Sequence, residues 1–443
     1  MFDVNVAVAL ILCLLLLVAL GVHIAVALGV ASALGIYLVT GELRVVATML
    51  GSTAYESLRD YVFAVIPLFM LMGEFIGKSG AVTDVYRGIN RALKRLPGRL
   101  AIATVLGNAL FSFVTGVSIA SAAAFSRIAY PEMRRFGYHK GFALGAVAGS
   151  SCLGMLIPPS VLMIVWGILT EKSIGQIFLA GVLPGLLLTL MFVIYIFASA
   201  LFRPGLVGGG ADIHSKERTD DASMPALIMS GGGILAVIVS VLGGIWFGVF
   251  TPTEGAGAGA FIGLVLGVAK GMRFKGIIDS ILSVGRTSAP ILLLLVAASL
   301  YSRALAMTGV TNAIQNLFLG AGLTPFMIIA IMVLVWFLLG MVIDSISIML
   351  LTVPIFAPIA ETLGYDPIAF AIIGILAIEA GLLTPPFGLL VYTVKSAIQD
   401  DDASVSLVDI FRSSTPYWAI MLLTMTLIIV WPQIATGLPS LLF

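Results

Sequence analysis

Charge is scarce in this sequence: of 443 residues, 23 are Lys or Arg and 22 are Asp or Glu, 10% in all. A soluble domain carries roughly a quarter charged residues. A water-facing globule is therefore excluded, and most of a chain that is 60% hydrophobic, with mean hydropathy +1.15, must sit in lipid. The net charge of +1 leaves no basic surface for nucleic acid, because the charges lie between apolar runs. Cysteine is nearly absent. Cys13 and Cys152 both fall in apolar runs, which excludes a disulfide framework and a thiolate metal centre. Histidine is limited to His23, His139 and His214, and neither HExxH nor GxSxG occurs, so an intramembrane enzyme has little support. Long polar stretches are missing too, apart from 203–223, where Gly208, Gly209 and Gly210 stand among mixed charges and predict a loop joining two halves. The first run follows Asp3 with no basic residue before it, so it reads as a retained span rather than a signal peptide.

What is present is a repeat. The stretch from Ser118 to Leu162 recurs without gaps 227 positions later, with eleven of 45 positions identical. The matches include Ser118/Ser345, Pro131/Pro358, Gly137/Gly364, Tyr138/Tyr365, Gly154/Gly381 and both members of Pro158-Pro159/Pro385-Pro386. Paired hydrophobic segments interrupted by Gly and Pro are the best sequence pointer to the binding site of a secondary transporter.

About 20 apolar residues cross a bilayer. The run 4–39 is too long for one crossing and divides near Gly21-Val22-His23. The predicted organisation has N-terminal spans in 1–60 and a first repeat in 61–202, with a hairpin at 100–130 and a broken helix at 141–170. After the loop 203–223, a second repeat fills 224–394, with a hairpin at 324–360 and a broken helix at 367–394; 395–443 supplies a loop and a last span. With the N-terminus outside and both hairpins re-entrant, 19 of 23 Lys/Arg fall on the cytoplasmic side, and only Arg44, Arg59, Lys172 and Arg303 fall outside. The repeats are then inverted, and the expected class is an all-α polytopic membrane protein with two re-entrant helical hairpins and two discontinuous helices. The basic, amphipathic stretch Thr83 to Leu96 fits an interfacial helix.

Chemistry is expected at the breaks. Proline removes an N–H, so a double proline frees carbonyls in mid-membrane, where only a cavity or the protein interior tolerates them. Substrate contacts are expected from Asn108, Thr115, Ser118, Ser160, Ser347 and Thr384. A hard cation such as Na⁺ is expected at Thr115, Ser118, Gly154, Asp344, Ser345, Glu379, Gly381 and Thr384. An ionisable group at depth is a functional candidate by default, which singles out Asp344 and Glu379; a hydrogen-bonding role for Glu379 stays open. Glu254 reads as a helix cap, Arg127 as snorkelling to the interface, and Asn108 and Ser112 as sharing a helix face.

At these residues the chain resembles the large membrane (M) subunit of TRAP (tripartite ATP-independent periplasmic) transporters. The resemblance rests on Pro131 to Lys140, Gly154 to Ser160, Gly248 to Ala260, Gly340 to Asp344 and Glu379 to Gly388. It implies a sodium-coupled elevator-type transporter in the bacterial inner membrane. It also implies a small four-helix membrane subunit (Q) and a periplasmic substrate-binding protein (P) that delivers an organic acid of the C4-dicarboxylate kind. The alternative is a stand-alone ion-coupled carboxylate transporter of the same fold. The chain departs from the family pattern at Val117 in the first tip, at Ala377, where asparagine is common, at His23 and His139, and in the acidic Asp400-Asp401-Asp402.

Overall fold

The computed structural model describes residues 4–208, 224–310, 313, 314, 316, 320, 322–398, 402 and 404–442. His214, Asp3, Asp400, Asp401 and most of the predicted inter-repeat loop lie outside the described residues. Eight helices among the described residues are long and apolar enough to cross a membrane. Exposed leucines and phenylalanines such as Leu16, Leu190, Phe261 and Leu423 leave the outside of the helices apolar.

The first half runs through α1 (Val4–Ala19), α2 (Ile24–Thr40), α3 (Leu43–Arg59), α4 (Val65–Lys78), α5 (Ala81–Ala92), α6 (Arg99–Thr115), α7 (Ser118–Arg135), α8 (Lys140–Ser151), the short α9 (Leu153–Leu156), α10 (Val161–Thr170) and α11 (Ile174–Phe202). The second contains α12 (Met224–Ile238), α13 (Gly244–Trp246), α14 (Pro252–Ala269), α15 (Phe274–Thr308), α16 (Pro325–Gly340), α17 (Ser345–Thr362), α18 (Pro367–Gly381), α19 (Leu389–Ala397) and α20 (Leu407–Val430). The 227-residue offset carries far beyond the stretch that shows identity. It takes α2 to 251–267, against α14 at Pro252–Ala269, and it takes the starts of α7 and α8 onto the starts of α17 and α18. α3 and α4, broken at Asp60, map onto the single 35-residue α15, where Thr287 stands at the position of Asp60 and donates back to Ser283 O within the helix (3.0 Å). The predicted apolar run 288–306 is thus only the second part of a longer helix.

Local chemistry explains matching ends. Gly137 and Gly364 hold left-handed φ values of 79° and 83° just before α8 and α18, a conformation glycine adopts without steric cost. The next helix is then capped by His139 in one half, through Nδ1 accepting from Gly141 N, and by Asp366 in the other. His23 caps α2 in the same way, so both histidine departures sit at helix starts that accept a ring nitrogen. Glu254 completes a capping box with Thr251, as expected.

Two packed groups result. α1–α4 pack with α12, α14 and α15, whereas the hairpins α6–α7 and α16–α17 pack with the broken helices α8–α10 and α18–α19 and with α11 and α20. The halves brace each other: α10 of the first packs on α17 of the second, and α19 of the second packs on α7 of the first. Lys172 pairs with Glu361 at one end of this body (3.0 Å), while Tyr130 bonds Asp402 (2.9 Å) and Lys140 pairs with Asp409 (3.2 Å) at the other. The two broken helices therefore run antiparallel, which makes the repeats inverted. Each of these pairs, and Arg303 with Glu56, joins residues that the charge count puts on one face.

Candidate functional site

Each hairpin tip is seated against the proline break of its own half. In the first, α6 ends at Gly116, whose φ of +61° turns the chain back into α7. A Cβ at Gly116 would lie 2.3 Å from the Pro159 carbonyl oxygen, and one at Gly154 would lie 2.9 Å from Ser118 Cα. Only hydrogen fits at either place. Val161 N donates to Gly116 O (3.1 Å), which locks the tip to the restart of the broken helix. In the second half Gly388 N and Phe387 N both donate to Met341 O, at 3.3 and 3.1 Å, and Gly381 faces Gly340 so closely that a Cβ would meet Gly340 Cα at 2.7 Å.

The breaks are partly satisfied by their own hydroxyls. Ser160 Oγ donates to Met155 O (2.6 Å) and accepts from Met163 N, capping α10. Thr384 Oγ1 donates to Gly381 O (2.6 Å), and Thr384 N donates to the same carbonyl (3.0 Å), replacing the bond that Pro385 cannot make. Both prolyl bonds, Pro158-Pro159 and Pro385-Pro386, are cis.

Glu379 lies between the halves, 1% exposed. Its Oε1 accepts from Ser345 Oγ at 2.9 Å. Ser118 approaches the same carboxylate from the other tip without closing a well-aligned hydrogen bond, and Glu379 Oε2 has no partner at all. Ser118 and Ser345 are repeat counterparts at the first residues of α7 and α17, so two helix N-termini accompany them. A buried carboxylate with one unpaired oxygen is expensive unless a positive charge completes it. Elsewhere in the first hairpin, Asn108 donates from Nδ2 to Ser150 Oγ (2.7 Å) but leaves Oδ1 unpartnered, and Ser121 Oγ, one turn beyond Ser118, is also unpartnered. Among the described residues no three His, Cys, Asp or Glu converge. The groups brought together are two hydroxyls and a single carboxylate, all oxygen ligands, a set that suits a hard cation better than a transition metal.

The structure thus brings Ser118, Gly154, Ser345 and Glu379 together, with Gly381 and Ser160 backing the two tips. Thr115 bonds Phe111 O within its helix. Asp344 is half-exposed and caps α17, accepting from Ser347 N at 3.0 Å, and Ser347 is buried in the first turn of that helix. Ser112 bonds the Asn108 carbonyl rather than a neighbouring helix, and Arg127 is exposed. Sequence reasoning did not single out Cys152, which is buried close enough to Glu379 to feel its charge. The repeat offset pointed to it, since Cys152 is the counterpart of Glu379.

Paired hairpins seated on paired proline-broken helices, in two inverted halves around one buried carboxylate, define a polytopic membrane transporter. Residues 11–434 match the family model described as tripartite ATP-independent periplasmic transporter, DctM component. The chain belongs to that family. It is 34% identical over 93% of each chain to the C4-dicarboxylate TRAP transporter large permease protein DctM of Pseudomonas aeruginosa. It is 28% identical to the sialic acid TRAP transporter large permease protein SiaM of Vibrio cholerae, over 86% of this chain and 87% of that one. Among solved structures it resembles the Alcanivorax borkumensis YdaH transporter, with TM-score 0.68 and 14% identity over 90% of each chain, a likeness of fold.

Proposed function

We propose that this chain is the large permease of a sodium-coupled importer of a small organic acid, handed over by a periplasmic binding protein and assisted by a small membrane subunit. The observation that carries the reading is the meeting of Ser118, Ser345 and Glu379, which offers one negative charge and unpartnered oxygens beside two helix N-termini. The oxygens suit Na⁺, and the helix N-termini suit a carboxylate ligand once cations balance Glu379. The names of the relatives, C4-dicarboxylate and sialic acid, support a carboxylate substrate. The hairpins and broken helices would slide as one body against the scaffold of α1–α4, α12, α14 and α15, with the N-terminus of the chain on the periplasmic side of the inner membrane.

The test is uptake of labelled succinate and of labelled sialic acid into proteoliposomes holding the permease with its small subunit and binding protein. An inward sodium gradient is expected to raise uptake of at least one by tenfold or more. Sodium-independent uptake of either would overturn coupling, and uptake without the binding protein would favour a stand-alone transporter. Ser118→Ala and Ser345→Ala are each expected to raise the sodium concentration for half-maximal uptake by roughly tenfold, since a hydrogen bond or ligand contact to a charged group is worth about 1.5 kcal/mol.

A further inference from the structure

α5 is the only link among the described residues between α4 of the scaffold and α6 of the first hairpin, and it packs on both α12 and α6. By packing alone it could travel with either body. A polar network away from the candidate site decides the matter. Lys270, at the end of α14, pairs with Asp84 of α5, and their side chains are only 10% and 15% exposed. Ser230 of α12, fully buried, donates to Asp84 Oδ2 (2.7 Å) and accepts from Lys270 Nζ (2.7 Å). Burial pushes the Asp84 carboxyl up, but the bonds from Lys270 and Ser230 outweigh it and hold the group below its ordinary value. One turn further, a Cβ at Gly88 would lie 2.4 Å from Leu227 Cδ1, so α5 and α12 are in close contact there. The counterpart of Lys270 in the other half is Leu43, so the network is built on one side of the pseudo-symmetric fold.

Beyond α5 the helix stops. Leu93 to Gly98 (LKRLPG) is irregular. α5 meets the other body through an apolar contact, Tyr86 edge-on to Phe125 of α7 (6.1 Å), which has no hydrogen bond across it to hold it. Gly98, at φ +76°, is seated on that body: a Cβ there would meet Ala200 and Ile196 of α11 at 3.1 and 3.3 Å. Six residues reach at most about 20 Å when extended, enough slack for one body to move past the other.

We propose that Asp84, Lys270 and Ser230 are positioning residues that pin α5 to the scaffold, so that Leu93 to Gly98 is the pivot of the first hairpin. This rests on the sliding motion proposed above, and the experiment separates the two. In a Cys13→Ser background, Gly88→Cys/Leu227→Cys is oxidised to the disulfide in proteoliposomes carrying the small subunit and binding protein. Uptake is expected to stay within twofold of the reduced sample, because both residues belong to the scaffold. Uptake that stops on oxidation and returns with reductant overturns the pin. In parallel, Ser302→Cys on α15 and Ala357→Cys on α17, which line one cavity of about 170 Å³ between the two bodies, are bridged with a short bis-maleimide. That bridge is expected to stop uptake; if it does not, the sliding reading fails, independently of the pin. Asp84→Asn and Lys270→Met are each expected to cost roughly tenfold in uptake, because removing one partner strands a buried charge, and the exchange Asp84→Lys/Lys270→Asp is expected to recover most of it. Full uptake in both single variants also overturns the proposal.

Discussion

Glu379→Gln is expected to lower sodium-dependent uptake by roughly a hundredfold or more while leaving the protein folded and at least as heat-resistant as the parent. The amide oxygen can still accept from Ser345 Oγ, so the only bond the structure gives this side chain survives. What disappears is the charge. Glu379 Oε2 is buried and unpartnered, and such a group costs about 1–3 kcal/mol or more; neutralising it stabilises the protein. The proposed cation site would lose its one anionic ligand, worth about 3 kcal/mol, or two factors of ten. Thermal unfolding with and without sodium separates these effects: the parent is expected to gain stability on adding sodium, and the glutamine variant is not. A sodium-dependent thermal shift of parental size in the variant would show that the cation sits elsewhere.

The second large effect is expected at Gly116. An alanine there must hold φ near +61° and place a methyl 2.3 Å from the Pro159 carbonyl oxygen. Left-handed backbone costs about 1–2 kcal/mol for a residue with a Cβ, and forcing an atom into a packed contact adds about 1–3 kcal/mol. The tip cannot seat, Val161 N loses its acceptor, and Ser118 is carried away from Glu379. Uptake is expected to vanish. Gly21→Ala is the control, because Gly21 has φ +78° with nothing within 4 Å of its Cβ. It is expected to pay the backbone cost alone and to keep most of its uptake. Equal losses in the two variants would mean that strain, not the seating of the tip, governs the effect.

Much of this site was legible because glycine and proline announce backbone geometry directly. The tips at Thr115–Ser118 and Asp344–Ser347, both breaks, and the pairing of Gly137 with Gly364 follow from residues whose conformational constraints do not depend on the rest of the fold. The amphipathic stretch from Thr83 is helical as expected, although the helix spans Ala81–Ala92 and stops short of Leu96. Longer-range matters were hidden. Nothing local to Glu379 says that it meets a serine from the other half, and a sequence separation of 186 hides the pairing of Asp84 with Lys270. Asp344 suggested an ion ligand because its charge stands beside a tip, but the same position is a helix start, and the carboxylate caps α17. The fusion of α3 and α4 into one α15 in the second half could not be read from hydropathy, because its first turns are polar and carry Gly276, Gly285 and Pro290, which read as interruptions although the helix runs through them.

The mutual bracing of the two halves bears on whether either could stand alone. α10 supports the hairpin of the opposite half, and α19 returns the favour at the other end. One half by itself would keep its tip seated on its own proline break but would bare the flanks of α7 or α17 that the opposite half covers. Each half is thus the missing wall of the other, and removing either would expose apolar surface at the middle of the molecule.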